Sequence, residues 1–208
     1  MMGVGVTGVA LLLLLGFNLD RPPVSLSSNS TASHTPSPPA AMTKPVGPDL
    51  MLVAKRNKRL AALKPHFVIT TDEFDKKITI RHRAFSKYMN GNGTSIEAEI
   101  YDNSLVLASE YVAEEWIFHD SFTVKVGEDQ LSATGPRKEE VINGGVVEMV
   151  ALGPLRSGPI AELIASAGSS PVRVRLDGKY YKDYTLRPAH QKAIAETVEY
   201  YHLLTDRQ

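Results

Sequence analysis

The chain has no cysteine in its 208 residues. That excludes disulfides, thiolate nucleophiles, Cys-ligated metal and a lipid-modified N-terminal cysteine. It has no excess of either charge: Lys+Arg and Asp+Glu each number 23. Without a net positive field, the composition carries no electrostatic footprint of a nucleic-acid binder. It also lacks a spanning-length apolar run, because the longest, Val4–Phe17, falls short of the roughly 20 residues that a membrane helix needs. Neither H-E-x-x-H nor G-x-S-x-G occurs. NGNGTS (90–95) has no lysine and no helix to follow it, so it reads as a hairpin loop and not a phosphate cradle. The histidines at 34, 66, 82, 119, 190 and 202 have no ligand spacing. The expectation is therefore no metal and no cofactor.

What is present falls into three parts. MMGVGVTGVALLLLLGF opens an apolar segment, residues 1–20, of the length typical of a signal-peptide core. It has no Lys or Arg before the apolar run and no clean A-x-A site directly after it. Both a cleaved signal peptide and an uncleaved signal anchor fit, the latter making the membrane a partner. Residues 21–48, RPPVSLSSNSTASHTPSPPAAMTKPVGP, are Pro, Ser, Thr and Ala with few apolar side chains. Such a stretch cannot bury enough surface to offset its ordering entropy, and it reads as a disordered linker. Apolar start, extended tether and folded domain are together the layout of an extracytoplasmic module, periplasmic or secreted.

From residue 49 the composition becomes that of a globular domain, read as running to 208. DLMLVAKRNKRLAALK (49–64) is a basic helix candidate with Asp49 as N-cap and Pro65 as stop. Strand candidates follow at 76–83, 95–101, 105–112, 115–126, 130–134 and 145–152, rich in β-branched and aromatic residues and separated by Asn, Asp and Gly. PIAELIASAG (159–168) reads as a short helix, with Pro159 in its first turn and Gly168 just past its end. A hairpin over 172–186 comes next, then a helix at 188–204 with Pro188 at its first position. The fold class is mainly β (α+β): an antiparallel sandwich or barrel-like domain with helices at both ends and one before the last hairpin.

Charge is segregated along the domain. Residues 48–88 hold ten Lys/Arg against four Asp/Glu, and residues 89–150 hold three against twelve. Faces that meet in the fold, or solvate one another, account for this.

In EEWIFHDSFTVKV, Trp116, Phe118, Phe122, Val124 and Val126 share one parity and so one core face, and Asp120 falls among them. A carboxylate there needs a partner such as Arg81 or Arg83, or a bulge that turns it outward. Asp120 with Glu148 or Glu115 is the one carboxylate pair that could serve a hydrolase. Glu114, Glu115, His119 and Asp120 do not make a metal set, since strand alternation splits them between two faces. In GVVEMVAL, Glu148 stands alone in an apolar run, as in a strand covered on both faces or at an edge.

RVRLDGKYYKDYTL (173–186) crowds Arg173, Arg175, Tyr181 and Lys182 into one hairpin, and these are the candidate ligand-binding residues. A three-residue loop, Asp177-Gly178-Lys179, would pair Leu176 with Tyr180 and Val172 with Tyr184. It would set Arg173 opposite Asp183 and Arg175 opposite Tyr181. Lys182 would then face the apolar side, which marks an edge strand.

YVAEEWIFHDSFTVKVGED (111–129), SPVRVRLDGKYY (170–181) and PAHQKAIAETVEYY (188–201) together resemble small exported bacterial β-rich domains with no assigned role. The resemblance implies an envelope module and carries no catalytic or binding residue with it. The expected function is an exported or tethered non-enzymatic binding or structural module. Its partner would be an envelope protein or polysaccharide, and not nucleic acid. The alternatives are the carboxylate hydrolase and binding of anionic lipid or glycan through the 49–64 helix and the 172–186 hairpin.

Overall fold

The computed structural model describes residues 50–86, 94–142 and 144–205. The apolar segment, the linker, Asp49 and the NGNG loop lie outside them. The domain is mainly β, and its two antiparallel sheets form an open, sandwich-like arrangement instead of a closed barrel.

The six-stranded sheet has the order β1 (Phe67–Thr71), β2 (Ile78–His82), β3 (Ser95–Tyr101), β4 (Ser104–Ala113), β8 (Gly145–Leu152), β7 (Arg137–Ile142). The four-stranded sheet has the order β10 (Tyr181–Thr185), β9 (Val172–Asp177), β5 (Ser121–Val126), β6 (Asp129–Thr134). Period-two burial runs through the central strands: Ile96, Ala98 and Ile100 on β3, and Phe122 and Val124 on β5, are buried. Val172, Val174 and Leu176 on β9 are buried in the same way. This alternation is what one buried and one solvated face require.

Among the described residues there are four α-helices: α1 (Leu50–Leu63), the four-residue α2 (Arg83–Ser86), α3 (Pro154–Ser166) and α4 (Pro188–Thr205). α3 packs on β4, α4 on β2 and β3, and the two helices pack on each other. Ile160, Ala161 and Ile164 of α3 and Ala193, Ile194 and Val198 of α4 join both sheets in one continuous core. Ser157, fully buried on α3, accepts from the Leu107 N–H (2.9 Å) and donates to the Leu152 carbonyl (3.1 Å). It thereby satisfies backbone groups where β8 gives way to the helix.

α1 packs against α4. Arg56 Nε donates to the Leu203 carbonyl (2.7 Å), Arg59 forks onto Glu199 (2.5 and 2.7 Å), and Leu63 alone is buried. Among the described residues no helix is long and apolar enough to cross a membrane.

The structure departs from the sequence reading in five places, the first being α2, where the expected strand 76–83 gives way to helix after His82. β1 and β7 were not expected: RKEEVI is too polar to read as a strand, while FVITT, though β-branched, is short and directly follows the helix stop at Pro65. Both are edge strands, where charge is tolerated and protective. On β7, Arg137 pairs with Glu139 and Lys138 with Glu140, each two residues along one face. α3 begins at Pro154, five residues before the expected start, and Pro159 sits inside it.

The expected strand 115–126 survives only as 121–126. Phe118 adopts a left-handed backbone (φ 59°), which breaks the alternation. Phe118 and Asp120 consequently turn outward, while His119 is fully buried. In the hairpin the loop is Gly178-Lys179-Tyr180, and the pairs are Arg173 with Thr185, Arg175 with Asp183, Leu176 with Lys182 and Asp177 with Tyr181. The register is two residues from the expected one. The parity is therefore kept, with β10 at a sheet edge.

Candidate functional site

Among the described residues, three groupings of polar side chains carry chemistry, and burial separates them. The first centres on Glu148. Its Oε1 accepts from the backbone N–H groups of Ile117 (2.7 Å) and Phe118 (3.0 Å), and its Oε2 from that of His119 (2.7 Å). Successive N–H groups around a left-handed residue form an anion-binding concavity, here filled by the chain's own carboxylate. His119 Nδ1 lies 3.5 Å from Glu148 Oε2, and its Nε2 lies 3.1 Å from Ser109 Oγ.

Ser109, His119 and Glu148 thus follow the order of a nucleophile, base and acid, but His119 Nδ1 makes no hydrogen bond to the carboxylate. All three are 0% exposed, so no substrate can reach the hydroxyl. Burial pushes the His119 imidazole below its ordinary range, and Glu148 opposes that only in part. The arrangement is a tie: it fixes residues 117–119 of the β4–β5 connection against β8. The hairpin closes on the other side, where Tyr180 N–H donates to the Ile117 carbonyl (3.1 Å) and Asp120 N–H to the Asp177 carbonyl (3.0 Å). Asp120 itself is exposed and accepts from Ser121 Oγ (2.9 Å), while Arg81 pairs with Glu99. Glu115 is exposed as well. The carboxylates suggested for a hydrolase therefore do not open onto a common surface with Glu148.

The second grouping joins three elements. His66, in the 3₁₀ turn that follows α1, places Nδ1 2.7 Å from Glu196 Oε2, and His82 of β2 places Nε2 2.9 Å from the same oxygen. Two imidazoles and a carboxylate are donors suited to a divalent transition metal. The tautomer decides otherwise at His82. Its Nδ1 accepts from the Ala84 N–H (3.1 Å), so the ring proton sits on Nε2 and points at Glu196. His82 is then a donor to the carboxylate and not a ligand lone pair. Lys192 Nζ, 3.7 Å from Glu196 Oε1, adds a further cation. Burial holds His82 below its usual range. Glu196 is held low by its hydrogen bonds from His82 and His66 against the opposing effect of burial. The cluster ties α4 to β2 and the turn before β1.

The third is the outer face of the four-stranded sheet, a concavity of about 510 Å³ of mixed lining, with Thr123, Lys125, Arg173, Arg175 and Asp183 beside Val174 and Tyr184. The strand registers arrange it in rows across β6, β5, β9 and β10. One row reads Thr134, Ser121, Asp177, Tyr181, the next Ser132, Thr123, Arg175, Asp183, and the last Gln130, Lys125, Arg173, Thr185. In the middle row Arg175 forks onto Asp183 (2.6 and 2.7 Å) and lies 4.6 Å from the Tyr181 ring centroid. That ion pair holds Asp183 below and Arg175 above their ordinary ranges. Thr123 bonds to Ser132 (2.8 Å) and Asp177 (3.1 Å).

Of the residues expected at a binding surface, Arg173, Arg175 and Tyr181 share this face, and Lys182, opposite buried Leu176, belongs to the other parity. Lys125 was missed. Its strand was read for its apolar face, and nothing local signals that β9 lies beside it. Comparison of the chain with family models, curated proteins and solved structures gives no match.

Proposed function

We propose that the chain is an exported, membrane-tethered binding module of the cell envelope that holds its ligand on the outer face of the four-stranded sheet. The observation behind this reading is a contrast in access. The nucleophile-base-acid order of Ser109, His119 and Glu148 is sealed from solvent, whereas the concavity on β5, β6, β9 and β10 is open. The N-terminal apolar segment and Pro-rich linker supply the tether. Hydrogen exchange of the full chain, with and without purified envelope polymer, tests the face. Protection confined to β5, β6, β9 and β10 is the expected result, and protection on the six-stranded sheet would reject it. Protease shaving of intact cells tests the tether: the folded domain should be digested from outside while residues 1–20 stay with the membrane.

A second reading, contact with anionic lipid through α1, is favoured by a specific observation. Leu50 and Leu52 are 80% and 65% exposed at the start of a helix with no acidic residue and with exposed Lys55 and Lys58. An apolar tip followed by cations suits a headgroup interface. The absence of cysteine makes Leu52→Cys a unique labelling site. An environment-sensitive fluorophore there should shift to the blue in phosphatidylglycerol vesicles and not in phosphatidylcholine ones, and an unchanged spectrum in both would remove this reading.

A further inference from the structure

Resting on the reading of the sheet face as the ligand surface, we infer that this ligand is an acidic polysaccharide, with an oxyanion seated on the row Gln130–Lys125–Arg173–Thr185. The row joins four strands, with Lys125 directly opposite Gln130 on one side and Arg173 on the other, and Thr185 beyond Arg173. Like charges directly opposite across an antiparallel pair are unfavourable, and the usual compensation is an opposite charge in the neighbouring position. Here the directly opposite positions hold an amide and a hydroxyl, and Asp183, diagonal to Arg173, is already forked by Arg175. Among the described residues neither Lys125 nor Arg173 makes an ion pair or side-chain hydrogen bond, while Arg175, one row away, has its own carboxylate in Asp183. Arg173 reaches Asp183 only as a longer-range charge that helps to lower its carboxyl group.

The two cations, flanked by an amide donor and a hydroxyl, are the complement of a carboxylate, sulfate or phosphate group. A repulsive pair kept in register on a solvated face is what a bound anion would relieve.

The rest of the face fits a sugar chain. Toward the hairpin end, Tyr181 is 66% exposed and Tyr180 55%, offering ring surface beside Arg175. Residues 173 and 177 mark the two ends of this stretch of β9, which spans about 13 Å at the ordinary strand rise. That is room for roughly two or three sugar units running along the strands from the aromatic end to the cationic row.

The test uses the full-length chain in nanodiscs, titrated with polygalacturonate, dextran sulfate, polyphosphate and neutral dextran. Polygalacturonate or dextran sulfate should bind and raise the melting temperature, and neutral dextran should do neither. Polyphosphate binding equal to theirs would show that charge alone is read, and would overturn the polysaccharide assignment. Lys125→Ala with Arg173→Ala should weaken binding at least tenfold, whereas Lys179→Ala with Lys182→Ala, the same loss of charge, should leave it within about twofold. Lys125→Glu supplies an independent readout: it should abolish binding and raise the melting temperature of the free protein by pairing with Arg173. Equal loss in both double variants, or unchanged binding in Lys125→Glu, would overturn the inference. If the exchange footprint falls on this sheet while Lys125→Glu still binds, the sheet face stands and the oxyanion site fails. A footprint elsewhere rejects the face itself.

Discussion

Glu97 and Glu110 lie on one face of the six-stranded sheet, on β3 and β4, and burial governs both. It pushes Glu97 up to about 8, against the attraction of Arg81, and Glu110 up to about 7. Glu97 Oε1 is buried with no hydrogen-bond partner, so only the charge of Arg81 opposes the effect of burial. The unfolded chain releases this proton near pH 4.5 and the folded one near pH 8, so the folded state binds more protons between them. Stability contributed by the protonated form is therefore lost as pH rises through that window. Glu97→Gln cannot ionise. Its melting temperature relative to the wild type should rise between pH 5 and pH 8.5, by at least about 3 °C or roughly 1 kcal/mol. A constant difference across that range would refute the assignment. None of this could be read from SIEAEIY, where alternating glutamates look like an ordinary solvated face. The parity was legible, but the coverage of that face was not.

At the scale of elements, the 114–120 connection and the 172–186 hairpin depend on each other. Glu148 holds the connection from one side through three backbone N–H groups. Removing that carboxylate leaves these donors buried without partners, so Glu148→Ala should cost roughly 3–5 kcal/mol in urea unfolding. Glu148→Gln keeps one acceptor oxygen and should cost distinctly less. On the other side the hairpin approaches so closely that a Cβ on Gly178 would lie 2.3 Å from the Phe118 carbonyl oxygen and 2.6 Å from His119 Cα. Those atoms are backbone and cannot swing aside. Gly178→Ala should therefore destabilise by about 1–3 kcal/mol, and chemical-shift changes should reach Phe118 and His119 as well as the hairpin itself.

The Asp-Gly dipeptide announced a turn correctly, but its reason here is close approach, not the local turn chemistry that suggested it. The same distinction explains Asp120. Its parity pointed inward, and a single left-handed residue, Phe118, reversed the facing of everything between it and β5.

For the molecule as a whole, two sets of buried groups pull stability in opposite directions with pH. Burial lowers His82, His119 and His190, whose neutral forms the fold prefers. The unfolded chain takes up those protons first, so their contribution is lost as pH falls below the ordinary histidine range. Glu97 and Glu110 act the other way, costing stability as pH rises. The stability profile should therefore have an interior maximum. Removing both carboxyls with Glu97→Gln and Glu110→Gln should move that maximum to higher pH in a series of thermal melts, and a maximum that stayed in place would contradict the opposing roles.

The sequence by itself determined the class of the domain. Period-two alternation follows from the pleat, helix ends follow from Pro188 and Gly168, and the edge position of the last strand follows from Lys182 on the apolar parity. These signals are local, so they survive whatever the rest of the chain does. Only the tertiary structure decided that Lys125 lies opposite Arg173, that His119 is buried against Glu148, and that the hairpin register differs by two residues. Each depends on which strands become neighbours and on how closely two backbones pass. A pattern along one strand fixes its buried face, but it carries no address for the strand beside it.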